Sequence, residues 1–397
     1  MESLYKNDKK YILNLYNRLP LEIKRAEGVY LYDKDDNRYL DMYSGISVNN
    51  LGHDKEISNV IKNQVDKYIH LSNYFTSEPV VNLAKLLVDN SFASKVYFSN
   101  SGTEANEAAI KLCRKYGRKV NENKFEILSA LNSFHGRTYG GLTLTGQEKY
   151  QNIFKPLLSG VDYFEFNNIE SLREKVNENT CAVFLEIIQG EGGVVEVTKE
   201  FINELVKLSN IYNFLIVIDE IQTGMGRSGD LFAFEKYNLV PDIVTIAKSI
   251  GGGLPLGAML VNKKLGEVMK IGDHGSTFGG NPVACAAGEY VLDKIVNTNL
   301  LNEVKKKGKY ILKGLKDIQV EFPNVIKEVR GRGMMVGIDV GENAMIIRDI
   351  ALNKKLLLNV TNKTIIRLLP SLCITISEID EFLEKFKDVL NVLDKNT

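Results

Sequence analysis

Short uninterrupted apolar runs along this chain alternate with longer stretches in which apolar residues recur every three or four positions. Residues 215–218 (Leu-Ile-Val-Ile) and 243–247 (Ile-Val-Thr-Ile-Ala) have the length and composition of strands buried on both faces. Residues 96–98, 127–128 and 181–185 read the same way. Helical spacing links Ile57, Val60, Ile61, Val65 and Ile69, then the apolar residues of 80–88, then Ala105, Ala108, Ala109, Leu112, Cys113 and Tyr116, a helix ending near Gly117. Further helices are predicted over 283–295, over 300–315 and from Ser377 onward. The first 50 residues predict a helix and short strands, with a hairpin turn at Asp35-Asp36-Asn37. Strands alternating with helices predict an α/β fold. Beyond about residues 290–296 the strands shorten, 329–338 reading as a strand pair, and a smaller α+β unit is predicted.

Composition narrows the class. With 397 residues and 44% apolar content the chain can bury a sizeable core, in two domains. Lys+Arg and Asp+Glu balance at 50 each, which argues against a nucleic-acid or membrane surface. Four widely spaced cysteines without a CxxC pair read as free thiols in a reducing compartment, and the four histidines have no metal-ligand spacing. The first ten residues are charged and lack an apolar signal core, and no run approaches the ~18 apolar residues of a membrane span. A soluble cytoplasmic protein is expected.

The chemistry gathers at strand ends. Asp219 closes the 215–218 run, and Lys248 follows the 243–247 run directly, leading into Ser-Ile-Gly-Gly-Gly (249–253). In open α/β sheets ligands bind outside the carboxyl ends of strands, so both side chains face one crevice if the runs are neighbours. Two readings compete. Asp219 and Lys248 are either a structural ion pair, or a pyridoxal phosphate site in which Lys248 carries the cofactor as a Schiff base and Asp219 pairs with the protonated ring nitrogen. Ser101 to Glu104 has the form of a capping box, and the same helix start offers a phosphate seat, with Gly102 allowing close approach and Ser101 and Thr103 offering hydroxyls. Phe134 is either core or a ring-stacking aromatic; Arg137 is either a surface charge or a carboxylate clamp. Residues 224–229 spell G-x-G-x-x-G, but no strand runs straight into the first glycine and the following acid, Asp242, precedes the next strand, so a dinucleotide site is rejected.

Taken together, Ser-Gly-Thr-Glu-Ala-Asn-Glu (101–107), Phe-His-Gly-Arg-Thr (134–138), Gln-Gly-Glu-Gly-Gly (189–193), Asp-Glu-Ile-Gln-Thr-Gly-Met-Gly-Arg (219–227), Ala-Lys-Ser-Ile-Gly-Gly-Gly-Leu-Pro-Leu-Gly (247–257) and Gly-Ser-Thr-Phe-Gly-Gly-Asn-Pro (275–282) resemble the class III aminotransferases, and within them the acetylornithine and ornithine branch. The resemblance implies the fold type I of pyridoxal-phosphate transferases: a large domain (51–292) with a mostly parallel seven-stranded sheet, and a small α+β domain from residues 1–50 and 293–397. It also implies a homodimer with active sites shared at the interface.

Matched by position, Lys248 is the cofactor-bearing lysine and proton shuttle, and Asp219 faces the ring nitrogen. Gln222 reaches the ring hydroxyl, Phe134 and His135 bind the cofactor, Ser101, Gly102 and Thr103 seat its phosphate, and Thr277 arrives from the partner subunit. Arg137, Ser276 and Tyr16 serve the carboxylate of the ω-amino substrate. Arg367 receives the α-carboxylate of glutamate, and Glu191 masks Arg367 when the ω-substrate is bound. The implied reaction moves the ω-amino group of N2-acetylornithine to 2-oxoglutarate, with succinyl-diaminopimelate, ornithine or 4-aminobutyrate as alternative donors. The ornithine branch commonly has Tyr where Ile46 stands, which disfavours ornithine. An aminomutase needs no second carboxylate site, so the Glu191–Arg367 pair opposes it; intact Lys248, Asp219 and Gln222 oppose an inactive cofactor-binding scaffold.

Overall fold

The computed structural model describes residues 4–394; residues 1–3 and 395–397, at the two ends of the predicted small domain and including the start of the charged N-terminal decapeptide, lie outside the described residues. Its centre is a seven-stranded sheet. In chain order its strands are β1 (Lys95–Ser99), β2 (Glu126–Ala130), β3 (Val161–Phe164), β4 (Thr180–Leu185), β5 (Leu215–Asp219), β6 (Ile243–Ile246) and β7 (Gly257–Val261). They stand in the order β1-β7-β6-β5-β4-β2-β3. Only β7 runs antiparallel to its neighbours; the pairs β6-β5, β5-β4, β4-β2 and β2-β3 are parallel. Both faces are covered, as the unbroken apolar runs require. Ile216, Ile218, Val244 and Ile246 enter one core. Leu215, Val217 and Ile243 enter another, together with Ala108, Ala109, Leu112 and Cys113 of the helix Gly102–Val120.

That helix passes its predicted end at Gly117. A Cβ there would meet the carbonyl of Lys124 at 2.1 Å and Cys181 Cβ at 2.6 Å, so the glycine serves close packing rather than termination. Its capping also differs from the simple box. Ser101 Oγ accepts from Glu104 N at 3.4 Å, but Glu104 Oε2 returns to Asn100 N at 2.7 Å, one residue earlier than the box predicts.

The predicted hairpin is present. Strands Tyr30–Asp33 and Arg38–Asp41 pair antiparallel around a turn in which Asp33 Oδ1 accepts from Asp35 N at 2.9 Å and Asn37 N at 2.8 Å. Leu40 and Asp41 then pair in parallel with Leu356 and Leu357. Val29, Leu40 and Met42 share one core with Ile311, Ile338, Ile366, Phe382 and Phe386. An antiparallel sheet of Glu328–Arg332, Met335–Asp339, Ile365–Leu368 and Asn359–Thr361 lies in the same part of the chain and carries Arg367. No helix among the described residues is long and apolar enough to cross a membrane.

Candidate active site

The register between β5 and β6 sets Asp219 opposite Thr245, so the two strands end side by side. Three residues beyond Thr245, Lys248 begins a tight turn with φ of 55° and stands in a cavity of about 450 Å³. The cavity is lined by residues of 100–103, 134–137, 219–223 and 247–256, together with Val48, Glu186 and Ile188. Burial lowers Lys248 to about 8; the charge of Arg367 pushes the same way, opposed by Glu191, Asp219 and Glu186. A substantial fraction of this amine is therefore neutral near pH 8.

Asp219 is held on every side. Its Oδ2 accepts from Asn106 Nδ2 at 2.9 Å and lies 2.7 Å from His135 Nδ1; its Oδ1 accepts from Ile221 N at 3.0 Å. Thr245 Oγ1 donates to Asn106 Oδ1 at 2.8 Å. With that oxygen taken, the Asn106 amide must donate to Asp219 and, at 2.8 Å, to the carbonyl of His135. Burial alone would lower His135; the hydrogen bond and charge of Asp219 outweigh it and raise it. Glu186, at the end of β4, accepts from Phe134 N at 3.2 Å, and burial raises it to about 8.

The helix Gly102–Val120 points its N-terminus at the cavity, where its first N–H groups lie ahead of the intrahelical ladder. A Cβ on Gly102 would meet Ile221 at 2.6 Å, so the backbone comes in as close as it does only because the residue is glycine. Thr103 Oγ1 is 2.7 Å from Thr138 Oγ1, tying this end to the 134–138 loop. On that loop the Arg137 guanidinium lies 5.3 Å from the Phe134 ring centroid and 4.4 Å from that of Tyr150.

At the other end Arg367, 1% exposed, is tied through Nη1 to Glu191 Oε1 at 2.6 Å and to Gln222 Oε1 at 3.1 Å. Asn359 Oδ1 takes its Nε at 3.0 Å and its Nη2 at 2.7 Å. Burial would raise Glu191, but Arg367 outweighs it and holds the carboxyl below its usual range.

A model of the family Aminotransferase class-III matches residues 12–390. The chain belongs to the class III aminotransferases. It is 48% identical over 387 residues to the acetylornithine aminotransferase of Caldanaerobacter subterraneus subsp. tengcongensis, covering 97% of this chain and 98% of the relative. The N-acetylornithine aminotransferase of Stenotrophomonas maltophilia superposes with a TM-score of 0.86 at 33% identity, covering 99% and 100%. The ornithine aminotransferase of Toxoplasma gondii superposes with a TM-score of 0.95 at 26% identity, covering 99% and 95%.

Class membership implies pyridoxal phosphate, and the residues fit it. A buried amine faces a buried carboxylate across an apolar cavity. A helix N-terminus with a close-approach glycine offers a phosphate seat, and Phe134 offers an aromatic wall. Ser101, Gly102, Thr103, Phe134, His135, Arg137, Asp219, Gln222 and Lys248 all line this one cavity, and Glu191 and Arg367 reach it through Gln222. Three expected residues do not line it. Tyr16 is 70% exposed on the N-terminal arm. Thr277 is exposed on the 274–281 loop. Ser276 touches the rim only through Asn100, whose Nδ2 donates to its Oγ at 3.0 Å.

Asn106, Glu186 and Asn359 were not assigned roles from the sequence. An asparagine amid the buried Ala105, Ala108 and Ala109 was the available signal for the first, because a buried amide needs partners.

Proposed function

We propose that this chain transfers the ω-amino group of N2-acetylornithine to 2-oxoglutarate, giving N-acetylglutamate 5-semialdehyde and glutamate in arginine biosynthesis. Near-full-length similarity to acetylornithine aminotransferases supports this donor. The observation that supports a two-substrate reaction is the Glu191–Arg367 pair at 2.6 Å, a buried cation for a carboxylate that carries its own covering acid.

Bound pyridoxal phosphate supplies an electron sink for the pair released when the C–H bond beside the substrate amine breaks. Lys248 Nζ would hold the cofactor covalently and would carry the proton removed from that carbon. Asp219, fixed by Asn106, His135 and the Ile221 amide, would keep a proton on the ring nitrogen. Gln222 would bind the ring hydroxyl, and Ser101, Gly102 and Thr103 would seat the phosphate. Arg137 binds the carboxylate of the ω-substrate while Glu191 covers Arg367. Glutamate needs Arg367 free, so its α-carboxylate displaces Glu191 there.

We further read residues 1–50 and 293–397 as the small domain and 51–292 as the large one. The shared core of Val29, Leu40 and Met42 with the C-terminal helices supports this division. We read the working form as a cytoplasmic homodimer. The exposure of Thr277 away from its own cavity supports a partner that receives it, and the buried free thiols of Cys113, Cys181 and Cys285 suit a reducing compartment.

The deciding experiment incubates the holoenzyme with 2-oxoglutarate and each of N2-acetylornithine, ornithine, succinyl-diaminopimelate and 4-aminobutyrate, scoring glutamate formed. N2-acetylornithine should give the highest kcat/KM; a clear preference for another donor overturns the assignment.

A further inference from the structure

Arg227 is completely buried, yet none of its hydrogen-bond acceptors is a carboxylate. Nε donates to Ser47 Oγ at 3.0 Å and Nη2 to Asn50 Oδ1 at 2.5 Å; Nη1 donates to the carbonyl of Met334 at 3.1 Å and to that of Pro370. A buried cation without a counter-ion is costly, and burial lowers it to about 9 without a carboxylate to offset the effect.

The segments it joins matter. Ser47 ends a turn, Ser44–Ser47, in which every residue has positive φ: 47°, 64°, 62° and 64°. For the three residues other than Gly45 this backbone costs about 1–2 kcal/mol each, and β-branched Ile46 is the least suited of them. Such a turn persists only where its surroundings over-determine it. Its next residue, Val48, is a wall of the catalytic cavity. Ser47 Oγ lies 3.2 Å from the Gln222 carbonyl, to which it donates, and Asn50 Nδ2 donates to the Met225 carbonyl at 3.0 Å. Pro370 lies three residues from Arg367, on the segment leaving its strand. One guanidinium therefore fastens the backbones that carry Val48, Gln222 and Arg367.

We propose that Arg227 is a positioning residue for the carboxylate-binding end of the cavity, clamping the 44–50 turn, the 222–227 loop and the 367–370 segment so that Gln222 and Arg367 keep their mutual geometry. Four bonds from a charged, planar donor to neutral acceptors on three segments, the 44–50 turn, Met334 and Pro370, set such a geometry more firmly than bonds from a neutral donor. Among the described residues, the 134–138 loop at the Arg137 end of the cavity bonds instead to Thr103, Asn106, Thr145, Glu186 and Asp219. The inference rests on the reading that Arg367 receives glutamate's carboxylate.

The test uses three holoenzyme variants: Arg227→Lys, Ser47→Gly and Arg367→Lys. Glycine accepts the positive φ of position 47, so Ser47→Gly removes the hydroxyl link without adding strain. For each variant, the two half-reactions are followed separately by single-turnover kinetics, and equilibrium binding of glutarate, an unreactive dicarboxylate, is measured. Arg227→Lys and Ser47→Gly should each weaken glutamate and glutarate about tenfold, the loss expected of a broken bond to a charged group, with the N2-acetylornithine half-reaction within about twofold. Equal losses in both half-reactions, or none, would mark Arg227 as a general brace and overturn the proposal. Arg367→Lys separates the premise. If it alone weakens glutamate, the clamp fails; if it leaves glutamate and glutarate unchanged, the assignment of Arg367 falls, and the clamp's purpose with it.

Discussion

Glu191 Oε1 and Arg367 Nη1 stand 2.6 Å apart, so the buried cation behind Gln222 is already neutralised by a residue of the same chain. Any carboxylate destined for Arg367 must first displace Glu191. Glu191→Gln removes that competition. The glutamate half-reaction should run as fast as wild type or faster, while the ω-substrate half-reaction slows about tenfold, because its own carboxylate is now drawn to Arg367, which turns the unreactive acetamide rather than the ω-amine toward Lys248. Single-turnover spectra of both half-reactions read this directly. A uniform change in the two would show that Glu191 is not a mask.

Lys248 gives a pH prediction. Its amine is lowered from 10.5 to about 8, so the fraction able to act as a nucleophile grows as pH rises toward and past 8. Capture of pyridoxal phosphate by the cofactor-free chain should accelerate between pH 6.5 and 8.5, flattening above about 8.5. Rapid-mixing absorbance measures it; a profile still climbing steeply at pH 10 would place the amine in an unperturbed environment. Lys248→Ala should lose turnover yet keep the cofactor bound without a covalent link.

Glu186 gives a stability prediction of the opposite sign. Burial raises its carboxyl from 4.5 to about 8, so the folded chain binds a proton there that the unfolded chain has lost. That contribution is fully present below about pH 4.5 and is lost as pH rises through about 8. Glu186→Gln copies the protonated acid. Its unfolding midpoint should match wild type near pH 5 and exceed it at pH 9. A larger gain at pH 5 than at pH 9 would contradict the shift.

Asn106 links Thr245 to Asp219, and Thr245→Val tests that link gently. With the hydroxyl gone the buried Asn106 oxygen loses its donor, and the amide is held only by its two donated bonds, to Asp219 and to the His135 carbonyl. Cofactor affinity should fall several-fold and stability by about 1–3 kcal/mol, the cost of a buried polar group left without its partner. Asp219→Asn should cost more affinity and most activity, since an amide cannot hold the proton on the ring nitrogen. Denaturant unfolding and a cofactor titration separate the two effects.

Much of this is legible in the sequence. Asp219 and Lys248 declared themselves because each ends an apolar run of strand length, and because the glycines after Lys248 leave room for a ligand. Five of the seven strands were legible too, but not β3 or β7, nor the order in the sheet, which depends on helix packing across distant segments. The turn at Ser44–Ser47 was not readable at all. Ser-Gly-Ile-Ser gives no reason to expect positive φ at Ile46; the turn is held from outside itself, by Asp41 at its start and by Arg227, some 180 residues away, at Ser47. Asn359 was hidden similarly, since its role exists only once the antiparallel pairing of residues 359–361 with 365–367 sets it beside Arg367.

The pairing of Asp219 with Thr245 has a consequence for faulty folding. The strand that delivers Lys248 is also the strand whose Thr245 orients the amide that holds Asp219. A slip of β6 by one residue against β5 would turn Thr245 to the opposite face and carry Lys248 out of the cavity in the same movement. One slip of that strand therefore costs both groups at once, the amine and the anchor of its opposing carboxylate, so such a chain is silent rather than half-active.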